Sequence, residues 1–242
     1  MDRWEARISR DFRETWALSP ADRADLERIG CERVVLVTHG VDERLFELEH
    51  MPAPEPRLVF LGNLSVPHNV DAAVFAAREV FPRVRAIHPD ARLCLAGAEP
   101  APAVRRLADL DGVEVPGWID DLRPVWAQAH ALLAPLRFST GIQNKVLEAM
   151  AAGVPVVTTG TVARALGARD REHVLVAEDA AALAAAVVET LADAPAARAR
   201  ASRAREHVRA HFSWETAVRR LERVAADAAT APPVPAAAAA RA

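Results

Sequence analysis

Pro135-Leu-Arg-Phe-Ser-Thr-Gly-Ile-Gln-Asn-Lys-Val-Leu-Glu-Ala-Met-Ala-Ala-Gly-Val-Pro-Val-Val157 reads as the centre of a parallel α/β fold. An apolar strand leads into it, a loop turns at Gly141, a helix carries Glu148 and Met150, and another apolar strand follows. The same alternation extends on both sides. Short β-rich runs fall at Leu58–Leu61, Arg92–Ala96, Val113–Val115, Ala131–Pro135, Val154–Thr158 and Val174–Ala177, with segments of helical spacing between them. Val70, Val74, Ala77 and Val80 mark one such helix. Asp120 or Asp121 caps a short one through Trp126, and Asp179 caps an Ala-rich one reaching Leu191. Strands that alternate with crossover helices make a doubly wound parallel sheet, which binds ligands at the carboxyl ends of its strands where the order reverses.

Towards the N-terminus the pattern changes. Residues 1–30 read as two helical pieces around a short break, with Ser19 as N-cap and Pro20 as first helical residue, followed by a strand from Val34 to Thr38. Pro52, Pro54 and Pro56 remove backbone donors and mark a linker over 47–56. Towards the C-terminus, helices are expected over Ala182–Ala192 and Ala196–His211, with a third opened by Ser213. From about Thr230 the chain is nearly all Pro and Ala, a composition that predicts a disordered tail over 230–242.

Composition narrows the function. A hydrophobic fraction of 51% supports a real core, and 30 basic against 33 acidic residues, intermixed, leave no basic stripe for a nucleic acid. Cys31 and Cys94 stand apart from any Cys or His pattern, which predicts buried thiols in a reducing, cytoplasmic setting and no disulfide or zinc site. No apolar run approaches a membrane span. Lys145 is the only lysine, and Gln143 and Asn144 precede it in a chain whose other members of those types are Gln128, Asn63 and Asn69. A glycine at a strand-to-helix turn lets backbone N–H groups approach an anion, so the turn at Gly141 would fit a diphosphate, flanked by Arg137 and Lys145 as cations. Glu148, about one turn beyond Lys145, could reach ribose hydroxyls. The alternative is a solvated Lys145–Glu148 helix pair beside an ordinary turn.

Several ordered motifs resemble the C-terminal domain of the retaining glycosyltransferases of the GT-B fold, the group 1 or family 4 enzymes. Thr38-His-Gly-Val-Asp42 is similar to the Asn-Gly-Val-Asp that closes the first domain there, and Phe60-Leu-Gly-Asn63 to the first strand and glycine loop of the donor domain. Leu93-Cys-Leu-Ala-Gly97, Val115-Pro-Gly-Trp-Ile-Asp120, Leu147-Glu-Ala-Met-Ala-Ala-Gly-Val-Pro-Val-Val157 and His211-Phe-Ser-Trp214 follow in the family's order. The likeness runs from about Leu36 to Val224.

The resemblance implies a Rossmann-like donor domain over 57–212, a remnant of the first, acceptor-binding domain over 1–46, and a crossing helix over 213–229. It implies that Glu148 binds the donor ribose, that the Gly141 and Ile142 amides meet the diphosphate, and that Gly62 and Asn63 form the glycine loop. The base is expected near Trp118 and Ile119. Two positions depart from the pattern. Thr140 stands where the first glutamate of a pair is expected, and Asn63 with His68 or Asn69 stands where cations commonly follow the first loop. The chain looks more like a subgroup of bacterial sugar transferases associated with exopolysaccharide export, in which a Pro-Asn-rich turn replaces the first loop and a Gly-Ile-Gln-Asn-Lys turn precedes the ribose glutamate; in that case Arg137 and Lys145 would carry the diphosphate. The resemblance implies transfer from a nucleoside diphosphate sugar with retention, without metal or other cofactor. It also implies a missing N-terminal domain in cis or trans as partner, with a lipid-linked acceptor at a membrane surface or a second copy as further candidates. A non-catalytic nucleotide-binding or interaction module is the alternative.

Overall fold

The structure is a computed structural model and describes residues 2–138 and 141–230. Its main body is a six-stranded, all-parallel sheet built from β3 (Arg57–Leu61), β4 (Arg92–Ala96), β5 (Val113–Gly117), β6 (Ala131–Ala134), β7 (Val156–Thr158) and β8 (Leu175–Val176). The spatial order is β5-β4-β3-β6-β7-β8, so the winding reverses between β3 and β6. This is the doubly wound sheet that the alternating runs predict. Leu58, Val59 and Phe60 on β3 and Leu132 and Leu133 on β6 are fully buried, as central strands covered on both faces must be. The run from Val154 begins pairing as a strand only at Val156, because Pro155 has no N–H to give; its carbonyl still accepts from Leu132 N at 2.9 Å.

A smaller parallel pair, β1 (Thr15–Ala17) and β2 (Val34–Leu36), stands apart from this sheet. It is flanked by α1 (Asp2–Ser9) and α2 (Pro20–Arg28), the latter capped by Ser19, whose hydroxyl accepts from Asp22 N. The break expected between two helices therefore contains a strand. Three residues carry no readable period, and β1 exists through its ladder to β2.

Helices cover the main sheet on both faces. α3 (Pro67–Phe75) continues through a π turn over Ala76–Val80 into α4 (Phe81–Arg85), the π turn falling just before Pro82, which cannot join the regular ladder. Shorter helices α5 (Pro102–Arg105) and α6 (Arg123–Gln128) precede α7 (Asn144–Ala152) and α8 (Gly160–Ala165). α7 ends at Gly153 in the left-handed conformation, with φ of 74°. α9 (Ala180–Ala192), capped by Asp179, lies against α4, and α10 (Ala194–Phe212) lies against α7.

The last helix, α11 (Trp214–Thr230), returns to the segment between β2 and β3. Thr38 Oγ1 donates to His211 O at 3.1 Å and accepts from Arg220 at 3.0 Å, while Val41 N donates to Phe212 O. Gly40 is glycine because Trp214 occupies the space a Cβ would need. The histidines, scattered in sequence, are not all scattered in space: His207 stacks on His173 at a centroid distance of 4.6 Å and meets His211 at a tilt at 4.8 Å. Thr230, expected to open the tail, is the last residue of α11, and residues 231–242 lie outside the described residues.

Candidate functional site

The reversal between β3 and β6 opens a cleft of about 580 Å³ at the carboxyl ends of the strands. Of the residues singled out in the sequence, Gly62, Asn63, Trp118, Ile119, Ile142, Lys145 and Glu148 line it. They arrive from three directions: the turn after β3, the turn after β5, and the turn into α7 with that helix's first two turns. Gly141 turns the chain into α7 with φ of +66°, a conformation that favours glycine. Thr140 lies outside the described residues.

Arg137 is not among the lining residues. Its guanidinium forms a two-pronged pair with Asp71 on α3, with Nε to Oδ2 at 3.0 Å, and lies 4.8 Å from the centroid of Phe75. Lys145 faces the cleft from a buried position. Its ammonium donates to Asn69 Oδ1 and lies 4.7 Å from the Phe60 centroid. Burial pulls its pKa down to about 8, with Glu148 opposing the shift. Burial pushes Glu148 up to about 7; Asp42 adds to the rise and Lys145 opposes it. Glu148 also borders two smaller cavities, of about 280 and 80 Å³, that reach Asp42 in the segment after β2. Trp118 is 70% exposed at the mouth, its indole N–H held by Asp120 at 2.7 Å.

The walls of the cleft approach each other closely. Gly97 has φ of +142°, and a Cβ there would overlap the carbonyl oxygen of Gly62. The structure adds Asn69, His68, Gln143 and Asn144 to the lining. Asn144 Oδ1 is 2.7 Å from His39 Nε2, which ties the start of α7 to the segment after β2. The scarcity of asparagine and glutamine in this chain was the available signal, and it marks Asn69 as well as Asn144.

Glycine turns, a buried cation and a carboxylate meet here at the reversal point of a doubly wound, Rossmann-like α/β sheet, the place where such sheets take their ligands. The chain belongs to the group 1 glycosyl transferases, whose family pattern matches residues 55–193, and its sheet is that of the GT-B enzymes. Glycogen synthase of Mycobacterium tuberculosis is 28% identical over 198 residues, covering 77% of this chain and 47% of the relative. Phosphatidyl-myo-inositol mannosyltransferase of Mycolicibacterium smegmatis is 28% identical over 214 residues, covering 84% of this chain and 54% of the relative. Anabaena HepE, solved with UDP and glucose, superposes with a TM-score of 0.75 at 15% identity, over 95% of this chain and 67% of that one, a likeness of fold. The chain spans about half the length of the curated relatives it matches.

Proposed function

We propose that this chain is the donor-binding half of a glycosyltransferase, which transfers a sugar with retention from a nucleoside diphosphate sugar to an acceptor hydroxyl. The observation that carries this is the meeting of Lys145 and Glu148 in one cleft at the sheet's reversal point. In this reading the diphosphate lies against Lys145 and the backbone amides near Gly141 and Ile142, which stabilise the leaving group as charge develops. Glu148 accepts from the ribose, the turn at Gly62 and Asn63 borders the phosphates, and Trp118 with Ile119 meets the base. Arg137 joins only if phosphate displaces Asp71. No metal or other cofactor is assigned.

Activity in this account needs an acceptor-binding first domain, in cis or trans, and exposed apolar residues around β1 support that. A cytoplasmic setting is consistent with Cys31 and Cys94, both free and buried. Exopolysaccharide assembly, with a lipid-linked acceptor at a membrane surface, is the proposed context, resting on the Gly-Ile-Gln-Asn-Lys turn. Among the described residues no single helix is long and apolar enough to cross a membrane. The second reading, nucleotide binding without transfer, is favoured by Thr140 at the first-glutamate position.

Trp118 supplies a direct test. Binding of the matching nucleoside diphosphate should change tryptophan emission saturably in the native chain and not in Trp118→Phe. A saturable change that persists undiminished in Trp118→Phe would place the base elsewhere.

A further inference from the structure

We propose that Asn69 is the positioning residue for Lys145: it seats the chain's one lysine ammonium at the floor of the cleft and ties it to the turn after β3. Its functional meaning rests on the donor-site reading, whereas its geometry does not. Asn69 is 5% exposed, in the first turn of α3, and both ends of its amide are engaged. Nδ2 donates to Asn63 O at 3.0 Å, and Oδ1 accepts from Lys145 Nζ. A reversed amide would set its NH2 against the ammonium and its oxygen against a carbonyl, so the two partners fix its orientation. The seat also requires glycine at 62, where a Cβ would lie 2.8 Å from Asn69 Cγ.

The choice of an amide has a physical consequence. The titratable groups that act on Lys145 are Glu148, one turn along α7, and His68 on α3, and among the described residues neither forms an ion pair with it. The ammonium is held by an amide oxygen and the face of Phe60, both neutral, so its charge remains available to an anion in the cleft. A carboxylate at position 69 would hold the same atom and cancel that charge. Arg137 shows the contrast: Asp71 already claims it.

Because Lys145 is the only lysine, the full chain grown with 13C-labelled lysine gives one side-chain Cε resonance, whose pH titration reads the ammonium without any ligand. The native midpoint is expected near 8. Asn69→Asp should raise it by about one unit or more, since a carboxylate partner favours the charged form. Asn69→Leu, which lacks the acceptor, should lower it. Asn69→Asp should also weaken binding of the preferred nucleoside diphosphate, chosen from UDP, GDP and ADP, by about tenfold or more. An unchanged midpoint in folded Asn69→Asp overturns the proposal, and that nearly isosteric variant decides even if Asn69→Leu fails to fold. Midpoints that move as expected in a native chain that binds no nucleoside diphosphate leave the positioning role standing and remove the donor-site reading.

Discussion

At the scale of the residue, the cleft gathers two groups whose charged forms burial disfavours. Glu148, pushed up to about 7 by burial, has a folded pKa above its ordinary 4.5. Its contribution to stability is therefore complete below the ordinary value and is lost as pH rises through 7. Lys145, drawn down to about 8 by burial, behaves in the opposite sense: its contribution is complete above its ordinary 10.5 and is lost as pH falls through 8. Near neutrality both buried charges therefore weigh against the empty fold. Glu148→Gln is expected to raise the melting temperature at pH 8 by a few degrees, equivalent to about 1 kcal/mol or more. The same substitution should weaken nucleotide binding. A melting temperature that falls instead would mean that the carboxylate is held by a partner it needs. That Lys145 and Glu148 share a cleft could be anticipated because each stands out in the sequence, one as the only lysine and the other in a stretch that resembles a family motif. Arg137 shows the limit of such reading, since nothing local announces that Asp71, distant in sequence, takes its guanidinium.

At the scale of the element, periodicity carried most of the fold. The six β-rich runs correspond to β3 through β8; the central strands β3 and β6, buried on both faces, are continuously apolar, whereas edge strand β5 alternates. Caps were legible where a side chain closes the first turn, as Ser19 and Asp179 do. The cap near Asp121 shows the usual slippage at helix ends: its carboxylate accepts from Arg123 N, but the cap position itself is Leu122. Elements set by remote contacts were not legible. β1 has three residues and a ladder to β2, and α8 has six residues between β7 and a turn. The π turn over Ala76–Val80 leaves the apolar spacing of its helix intact, so only Pro82 hints at it. The seat of Asn69 belongs to this class as well, since it is formed by α3, α7 and the turn after β3 together.

At the scale of the whole molecule, the open main sheet is covered by helices while the N-terminal unit leaves large apolar side chains exposed. The core of the six-stranded sheet is one continuous cluster, whereas Ala17, Cys31 and Val34 form a separate small one. Around it Trp4, Phe12, Trp16 and Leu18 are each more than half exposed, and a groove of about 240 Å³ runs between Trp4, Ile8, Phe12 and Leu26. Apolar surface of this kind seeks cover. The purified chain is expected to self-associate, or to bind a separately supplied first domain, in sizing with light scattering. A monodisperse monomer indifferent to such a domain would count against the proposed partnership. The central claim, that the cleft at the sheet's reversal point holds a nucleoside diphosphate, is tested most directly by calorimetric titration with UDP, GDP and ADP beside Lys145→Ala and Glu148→Ala. The account predicts that one of the three binds the native chain with a Kd between about 10 μM and about 1 mM, and that each substitution weakens it about tenfold or more. Absence of binding by all three at several-fold above that range, in a chain that remains folded, would contradict it.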